Sequence, residues 1–161
     1  MQTPLSVMRL LILAVNGGLV LMLAVAYLIA PDTAVHNQTL FTIAVATALL
    51  LPLAAVFMMR SILTPLAAGL TTEEATPAAL GKWRASVLAG MAVSEAAALV
   101  GLTLAVQDGS FLLYLPGFIT ALIFSFGWVL PKQSTVMAAQ ERLEANGTRT
   151  QLWETLNGRP V

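Results

Sequence analysis

Glu95 is the residue whose chemistry is most unusual for its surroundings in this sequence. It lies in the run VLAGMAVSEAAALVGLTLAV, residues 87–106, in which every other side chain is uncharged and most are apolar. A protonated carboxyl group in such a segment donates a hydrogen bond. The ionised carboxylate binds a proton or a cation. Glu95 is therefore the candidate ion-binding residue.

The other reactive side chains are few. The chain has no cysteine and a single histidine, His36, so catalysis by a Cys/His pair and a zinc site with several histidines are both excluded. One acid within the apolar runs supplies neither a general acid/base pair nor a metal cage. We therefore expect no enzyme, no catalytic residue, no metal site and no organic cofactor, with a proton or Na⁺ as the only small ligand considered; the sequence does not indicate a bound lipid.

The elements that must position Glu95 are membrane spans. The 161-residue chain is 58% hydrophobic and only 10% charged, which is too apolar for a soluble domain of this length. A hydrocarbon core about 30 Å thick is crossed by about 20 apolar residues in a helix. Four runs meet this length and predict an all-α membrane protein: residues 10–30, 40–59, 85–106 and 111–130. The first run is too long for a signal peptide and is followed by Pro31, so we expect it to be retained.

The basic residues predict the orientation of these spans. They occur before the first span, between the second and third, and after the fourth: Arg9, Arg60, Lys82, Arg84, Lys132, Arg142, Arg149 and Arg159. The two remaining loops, PDTAVHNQT and QDGS, contain none. The positive-inside rule therefore places both termini and the loop 60–84 in the cytoplasm.

Loop lengths and local signals predict the remaining architecture. The two short loops make two antiparallel hairpins, which gives a transmembrane domain over residues 1–131 and a cytoplasmic tail over 132–161. In the loop, TTEEA is a capping signal for a short helix. In the tail, we expect a short helix from an N-cap at Ser134 to a stop at Gly147. Four aromatic residues near span ends predict an interfacial belt: Tyr27, Trp83, Tyr114 and Trp128.

Depth along the helices predicts a polar layer around Glu95. At 1.5 Å per residue, Glu95 lies about 16 Å from Arg84, close to the bilayer midplane. The other spans have polar groups at comparable depths: Thr47 at about 20 Å, the Ala48 carbonyl freed by Pro52 at about 18 Å, Thr120 at about 16 Å and Asn16 at about 10 Å from their own ends. We expect Glu95 at the centre of this layer, with Asn16 at its margin.

The third span also has a face of small residues at helical spacing. Gly90, Ser94, Ala97 and Gly101 recur at intervals of four, three and four. Small side chains let helix backbones approach closely in lipid. We expect this face to pack against other helices, and Glu95 to face protein.

Three roles for Glu95 remain open. A neutral carboxyl can act as interhelical glue by donating one hydrogen bond to a carbonyl or threonine. An ionising carboxyl can serve as a proton or ion site. Alternatively, Glu95 pairs with a cationic group on another subunit or ligand.

The segment AVSEAAALVGLTLAV, residues 92–106, resembles the carboxylate-bearing helix of the rotor proteolipid, subunit c, of ATP synthases. That resemblance implies that Glu95 binds the transported ion. The chain departs from the proteolipids in having only Gly17-Gly18 in its first span and its acid on the third of four spans. The Glu-Ala and Leu-x-Gly-Leu pattern is also similar to that of small bacterial four-span membrane proteins without an assigned activity, which implies a bacterial cytoplasmic membrane.

These patterns predict a small membrane subunit that packs within or beside a larger membrane complex and docks its tail on a partner. Its partners would be membrane lipids and other membrane subunits, or further copies of itself, and not nucleic acid. The alternative is a protomer that couples proton or Na⁺ movement through Glu95, with any cationic gate supplied by another chain, since the spans contain no Lys or Arg.

Overall fold

A computed structural model describes residues 3–158 of the chain. Within this range the protein is all-helical and has no β-strand. Four helical segments are long and apolar enough to cross a membrane: Pro4–Ile29, Gln38–Ile62, Thr72–Asp108 and Phe111–Val129. The prediction of an all-α protein with four candidate spans is confirmed. Arg159, one of the basic residues that predict the orientation, lies outside the described residues.

The first two helices begin at side-chain caps. Helix α1, Pro4–Ile29, starts at the Thr3 side chain, which accepts a hydrogen bond from the Ser6 amide. Pro4 suits the first position of the helix because an N–H group there, which proline lacks, would have no partner within the helix. Helix α2, Gln38–Ile62, starts at Asn37 and continues through Pro52. Both helices are a few residues longer than their apolar runs, because polar caps at their starts extend the hydrogen-bonded backbone.

Helix α3, Thr72–Asp108, is much longer than the predicted third span. Thr71 and Glu74 form a reciprocal capping box, and the helix then runs for 37 residues through Pro77 until Gly109, which has φ of 78°. The signal TTEEA therefore starts the long helix itself, and not a separate short one. The connection predicted over 60–84 shrinks to residues 63–71, because the segment before Arg84 is helical.

The fourth segment is not a uniform helix. It comprises a 3₁₀ turn at Phe111–Leu113, helix α4 at Leu115–Phe124, and a π-helical stretch at Ser125–Val129. The amide of Leu130 donates to the Ser125 carbonyl at 2.7 Å, which closes the wider π-helical turn. Such turns add one residue to a helix and rotate the residues beyond them about the helix axis.

The tail folds back onto its own chain. Helix α5, Gln133–Leu143, starts before Ser134, since Lys132 occupies the cap position, and helix α6 covers Leu152–Leu156. The apolar side chains of α5 and α6 share a core with Ala75, Ala79 and Trp83 of α3; they are Val136, Ala139, Leu143, Leu152 and Leu156. Trp83 is only 3% exposed and so does not belong to an interfacial belt.

Hydrogen bonds tie the connections together at each end of the bundle. At the loop end, formed by residues 30–37 and 109–110, the Asp32 amide donates to the Gly109 carbonyl, and the Asp108 carboxylate accepts from the amides of His36 and Asn37. At the basic end, which carries Arg9, Arg60, Lys82 and Arg84, the Arg9 guanidinium donates to the Pro131 carbonyl. Lys82 likewise donates to Thr64.

Small residues set the closest helix contacts. Gly90, Ser94, Ala97 and Gly101 are all buried on α3. A Cβ atom on Gly117 of α4 would collide with the Ala97 carbonyl, and one on Gly101 would lie 3.1 Å from the Leu113 carbonyl. The small-residue face of α3 thus lies against neighbouring helices, because only small side chains allow these backbones to approach so closely.

Candidate functional site

Glu95 is partly exposed in the structure, and not buried. The residues one helical turn to either side of it include Met91 and Ala98, which are buried, and Leu99, which is 52% exposed. Glu95 therefore lies at the rim of the packed face of α3. Its carboxyl group forms no hydrogen bond or ion pair with any residue between 3 and 158. The expectation that Glu95 is enclosed by protein is corrected accordingly.

A crevice between α1 and α3 lies on the same side of α3 as Glu95. It has a volume of about 470 Å³ and lies near the basic end, between Arg84 and Leu88 of α3 and four residues of α1: Pro4, Val7, Met8 and Leu11. At 100° per residue, Glu95 points within about 20° of both Arg84 and Leu88. Glu95 thus continues the same face of α3 beyond the crevice.

Residue counting places Gly18 of α1 near the level of Glu95. Helices α1 and α3 run in the same direction, since Leu11 faces Leu88 at the crevice and Asp32 bonds to Gly109 at the loop end. Leu11 precedes Asp32 by 21 residues and Leu88 precedes Gly109 by the same 21. Because α1 ends at Ile29 and the residues after it are extended, these counts align the two helices only to within about one helical turn. Gly18 and Glu95 lie seven residues further along, nearly two turns and on the same faces.

The surface of α1 near this level is open. A Cβ atom added to Gly18 would meet none of the described atoms within 4 Å, and the same is true of Gly17. We call the outer surface between Leu11, Gly18, Leu88 and Glu95 the α1–α3 groove. This groove presents one carboxyl group, which has no partner in residues 3–158. The surface around it is apolar, and a second helix can approach it.

The other members of the predicted polar layer do not gather around Glu95. The Thr47 hydroxyl donates to the Ile43 carbonyl of its own helix at 2.7 Å. Ala48 is buried, and Thr120 lines an apolar groove beside α2. Residue counts from the span ends could not predict this arrangement, because each helix begins at its own level and a count does not fix the direction in which a side chain points. Threonine hydroxyls in helices are also commonly satisfied by their own backbone.

Asn16 forms a polar contact inside the bundle instead. Asn16 is 5% exposed, and its side-chain nitrogen donates to the Ile12 carbonyl and to the Ser125 hydroxyl, both at 2.7 Å. Its Oδ1 atom has no hydrogen-bond partner in the described part of the chain. The contact joins α1 to the start of the π-helical stretch, where the backbone turn is widest.

Two of the residues that make interior hydrogen bonds were not expected from the sequence. Ser125 lies six residues before Pro131, and Asn16 lies seven after Arg9, so both are about 10 Å from the end at which Arg9 and Pro131 are bonded. Comparing those depths would have identified Ser125. Tyr114 is 1% exposed and its hydroxyl donates to the Leu19 carbonyl, so it too lies inside the bundle and not in an interfacial belt.

His36 and Asp32 form a separate cluster in the loop after α1. The imidazole Nε2 atom lies 2.7 Å from the Asp32 carboxylate, and both side chains are about half exposed. The Ala34 amide and then the His36 side chain hold the pKa of Asp32 below its ordinary value, because both donate to its charged form. Across residues 3–158, no three His, Asp or Glu side chains come close enough to hold a metal ion.

Comparisons with known proteins do not assign this site. No known protein family matches the chain, and no curated protein or solved structure is significantly similar to it. The functional interpretation therefore depends on the geometry of the chain itself.

Proposed function

We propose that the chain is a small integral membrane subunit that packs against another transmembrane helix through the α1–α3 groove, with Glu95 as the polar contact. The observation that carries the proposal is that the Glu95 carboxyl group is partly exposed and has no partner within residues 3–158. Residue counting sets it near Gly18 of α1, which has no side chain and open space beside it. The partner helix would supply a hydrogen-bond donor or a cationic side chain at this depth.

Energetics support this assignment. An acidic residue at the centre of a membrane helix costs about 3 kcal/mol on insertion scales. Residues 3–158 supply no hydrogen bond that offsets this cost. A helix that packs in the groove would remove the carboxyl group from lipid and provide its missing partner. Gly18 would allow that helix to approach closely, as small residues do at membrane interfaces.

The arrangement of charge supports an orientation for the subunit. Arg9, Arg60, Lys82 and Arg84 lie at one end of the bundle, whereas the loop end contains Asp32 and Asp108. By the positive-inside rule, the basic end and both termini face the cytoplasm of a bacterial cell, and the four spans form two antiparallel hairpins. The tail, which packs on α3, would then offer a partner only its outer surface.

Copurification in mild detergent tests the proposed contact. Gly18→Leu should fill the groove and reduce recovery of the partner subunit or of a second copy of the chain. Gly17→Leu is the matched control, because Gly17 is also unobstructed but points about 100° away from Gly18. Equal recovery with both variants would contradict docking in the α1–α3 groove.

A second candidate function is ion coupling, in which Glu95 takes up and releases a proton or Na⁺. The exposure of the Glu95 carboxyl at the surface of the chain favours it, because an ion or a neighbouring subunit can reach that group. The resemblance of residues 92–106 to the carboxylate helix of rotor proteolipids also supports it. Carbodiimide labelling of Glu95 that depends on pH and is blocked by Na⁺ is the expected result; absence of labelling at every pH would rule coupling out.

Glu95→Gln separates the two functions. Glutamine keeps the size and the hydrogen bonding of the side chain but removes its ionisation. If Glu95 is a packing contact, the variant should assemble normally and keep the activity of the complex. If Glu95 couples ion movement, the variant should assemble normally and lose proton-linked activity.

A further inference from the structure

A second surface feature lies at the basic end, and its lining does not include Glu95. A pocket of about 230 Å³ is enclosed by the end of α2, the π-helical stretch and α5. Two arginines line it, Arg60 from α2 and Arg142 from α5, and its lining includes no acidic residue. Its remaining walls are Val56, Met59, Leu63, Trp128, Thr135, Ala138 and Ala139.

Neither arginine is neutralised by the described residues. Arg60 and Arg142 are exposed, and neither guanidinium forms an ion pair or a hydrogen bond within residues 3–158. The other basic side chains of this end differ in this respect, since Arg9 bonds to Pro131 and Lys82 to Thr64. Two guanidinium groups in one pocket attract an oxyanion such as a phosphate, because both can donate hydrogen bonds to its oxygen atoms.

An apolar groove continues from this pocket along the outside of the bundle. The groove has a volume of about 170 Å³ and shares Val56 and Trp128 with the pocket. Its other walls come from α2 and α4, namely Pro52, Leu53, Thr120, Ile123 and Phe124, and its accessible lining is entirely apolar. A cationic pocket at a helix end that opens into an apolar groove along the span has the shape and polarity of a phospholipid.

We propose that Arg60 and Arg142 bind the phosphate of an anionic phospholipid, with one acyl chain in the groove between α2 and α4. Trp128, which is 56% exposed, lies at the junction of the two parts, where an indole ring suits the boundary between headgroup and acyl chain. Basic pockets between membrane helices are typical sites for anionic headgroups. The site does not involve Glu95 and does not depend on the proposed partner helix.

Lipid titration of the full chain in detergent tests the site. The probes are phosphatidylglycerol and phosphatidylcholine with identical acyl chains, and binding is followed by native mass spectrometry. We expect phosphatidylglycerol to bind more tightly, and the variant R60Q/R142Q to bind it about 30-fold more weakly. R60Q and R142Q are also tested singly, and R149Q is their control for loss of one charge, because Arg149 is exposed and outside the pocket. Equal affinity for the two lipids, or no effect of R60Q/R142Q, would overturn the proposal.

Two further experiments distinguish a lipid site from a simple anion site. Inorganic phosphate and glycerol 3-phosphate should not compete with phosphatidylglycerol at equal concentration, because they lack the acyl chain. Leu53→Trp should obstruct the groove and weaken lipid binding, whereas Leu50→Trp should not. The two leucines are 68% and 63% exposed on the same helix, and only Leu53 lines the groove. Full competition by inorganic phosphate, or equal effects of the two tryptophans, would contradict the acyl-chain assignment.

Discussion

The side-chain amide of Asn16 donates a 2.7 Å hydrogen bond to the hydroxyl of Ser125, at the point where the fourth segment changes from an α-helix to a π-helix. This contact connects the first and last of the four long helical segments inside a mostly apolar interior. The residues that flank it belong to two apolar clusters: Ile12 and Phe124 on the side of the basic end, and Leu19 and Ala121 on the side of the loop end.

A double-mutant cycle of Asn16→Ala and Ser125→Ala should detect coupling between these residues. Hydrogen bonds between membrane helices contribute about 0.6 kcal/mol on average and up to about 1.7 kcal/mol, and we expect a coupling energy within that range. Unfolding by titration with a denaturing detergent measures it. Thr47→Val is a suitable control partner, because the Thr47 hydroxyl bonds within its own helix. Additive effects of Asn16→Ala and Ser125→Ala would show that the contact does not form.

Gly117→Ala should destabilise the bundle, because the new methyl group would collide with the Ala97 carbonyl and force α3 and α4 apart. Overpacking of this kind costs about 1 to 3 kcal/mol. Gly18→Ala should change the stability of the isolated chain by no more than about 0.5 kcal/mol, since its Cβ would meet no described atom within 4 Å. Thermal unfolding in detergent compares the two variants, and similar losses in both would contradict the close approach at Gly117.

Leu152→Ala should release the tail from α3. Leu152 is fully buried in the core that α6 shares with Ala75 and Ala79, and such a truncation costs about 2 to 5 kcal/mol. We expect faster protease cleavage after Pro131 in this variant than in the unaltered chain. Met137→Ala is the control on α5, because Met137 is 52% exposed. If the two variants were cleaved equally fast, α6 would not hold the tail in place.

Asp32 should titrate below its ordinary pKa of 3.8. The Ala34 amide and the His36 side chain favour the carboxylate, so their stabilisation of the loop is complete above pH 3.8 and disappears as the pH falls through the lowered pKa. The carboxyl carbon resonance of Asp32, followed by NMR against pH, measures the midpoint. His36→Ala should move the midpoint up towards 3.8, and a midpoint at or above 3.8 in the unaltered chain would contradict the loop geometry.

The sequence predicted the features that depend on composition and spacing along one helix. Apolar run lengths located four candidate spans, and the spacing of Gly90 and Gly101 identified residues that prove to be buried. The angular position of Glu95 was not accessible in the same way. Its surroundings depend on how α1 lies beside α3, and lipid-facing and protein-facing sides of an apolar helix have similar compositions.

The ends of the elements were harder to predict for a related reason. Polar residues before Arg84 were assigned to a connection, yet they form a helix because their apolar neighbours, such as Ala79, pack on α5 and α6. The π-helical stretch at Ser125 also has no marker in an apolar run. The capping signal TTEEA marks where α3 begins, but its unbroken course to the third span and the π-helical stretch have no local marker.

The unbroken course of α3 has a mechanical consequence. A helix of 37 residues is about 55 Å long, which exceeds the thickness of the hydrocarbon core by about 25 Å. The folded tail packs against Ala79 of this helix. Ala79 and Glu95 lie about 24 Å apart along α3. A force applied to the tail would therefore act on the same helix that carries the carboxyl group.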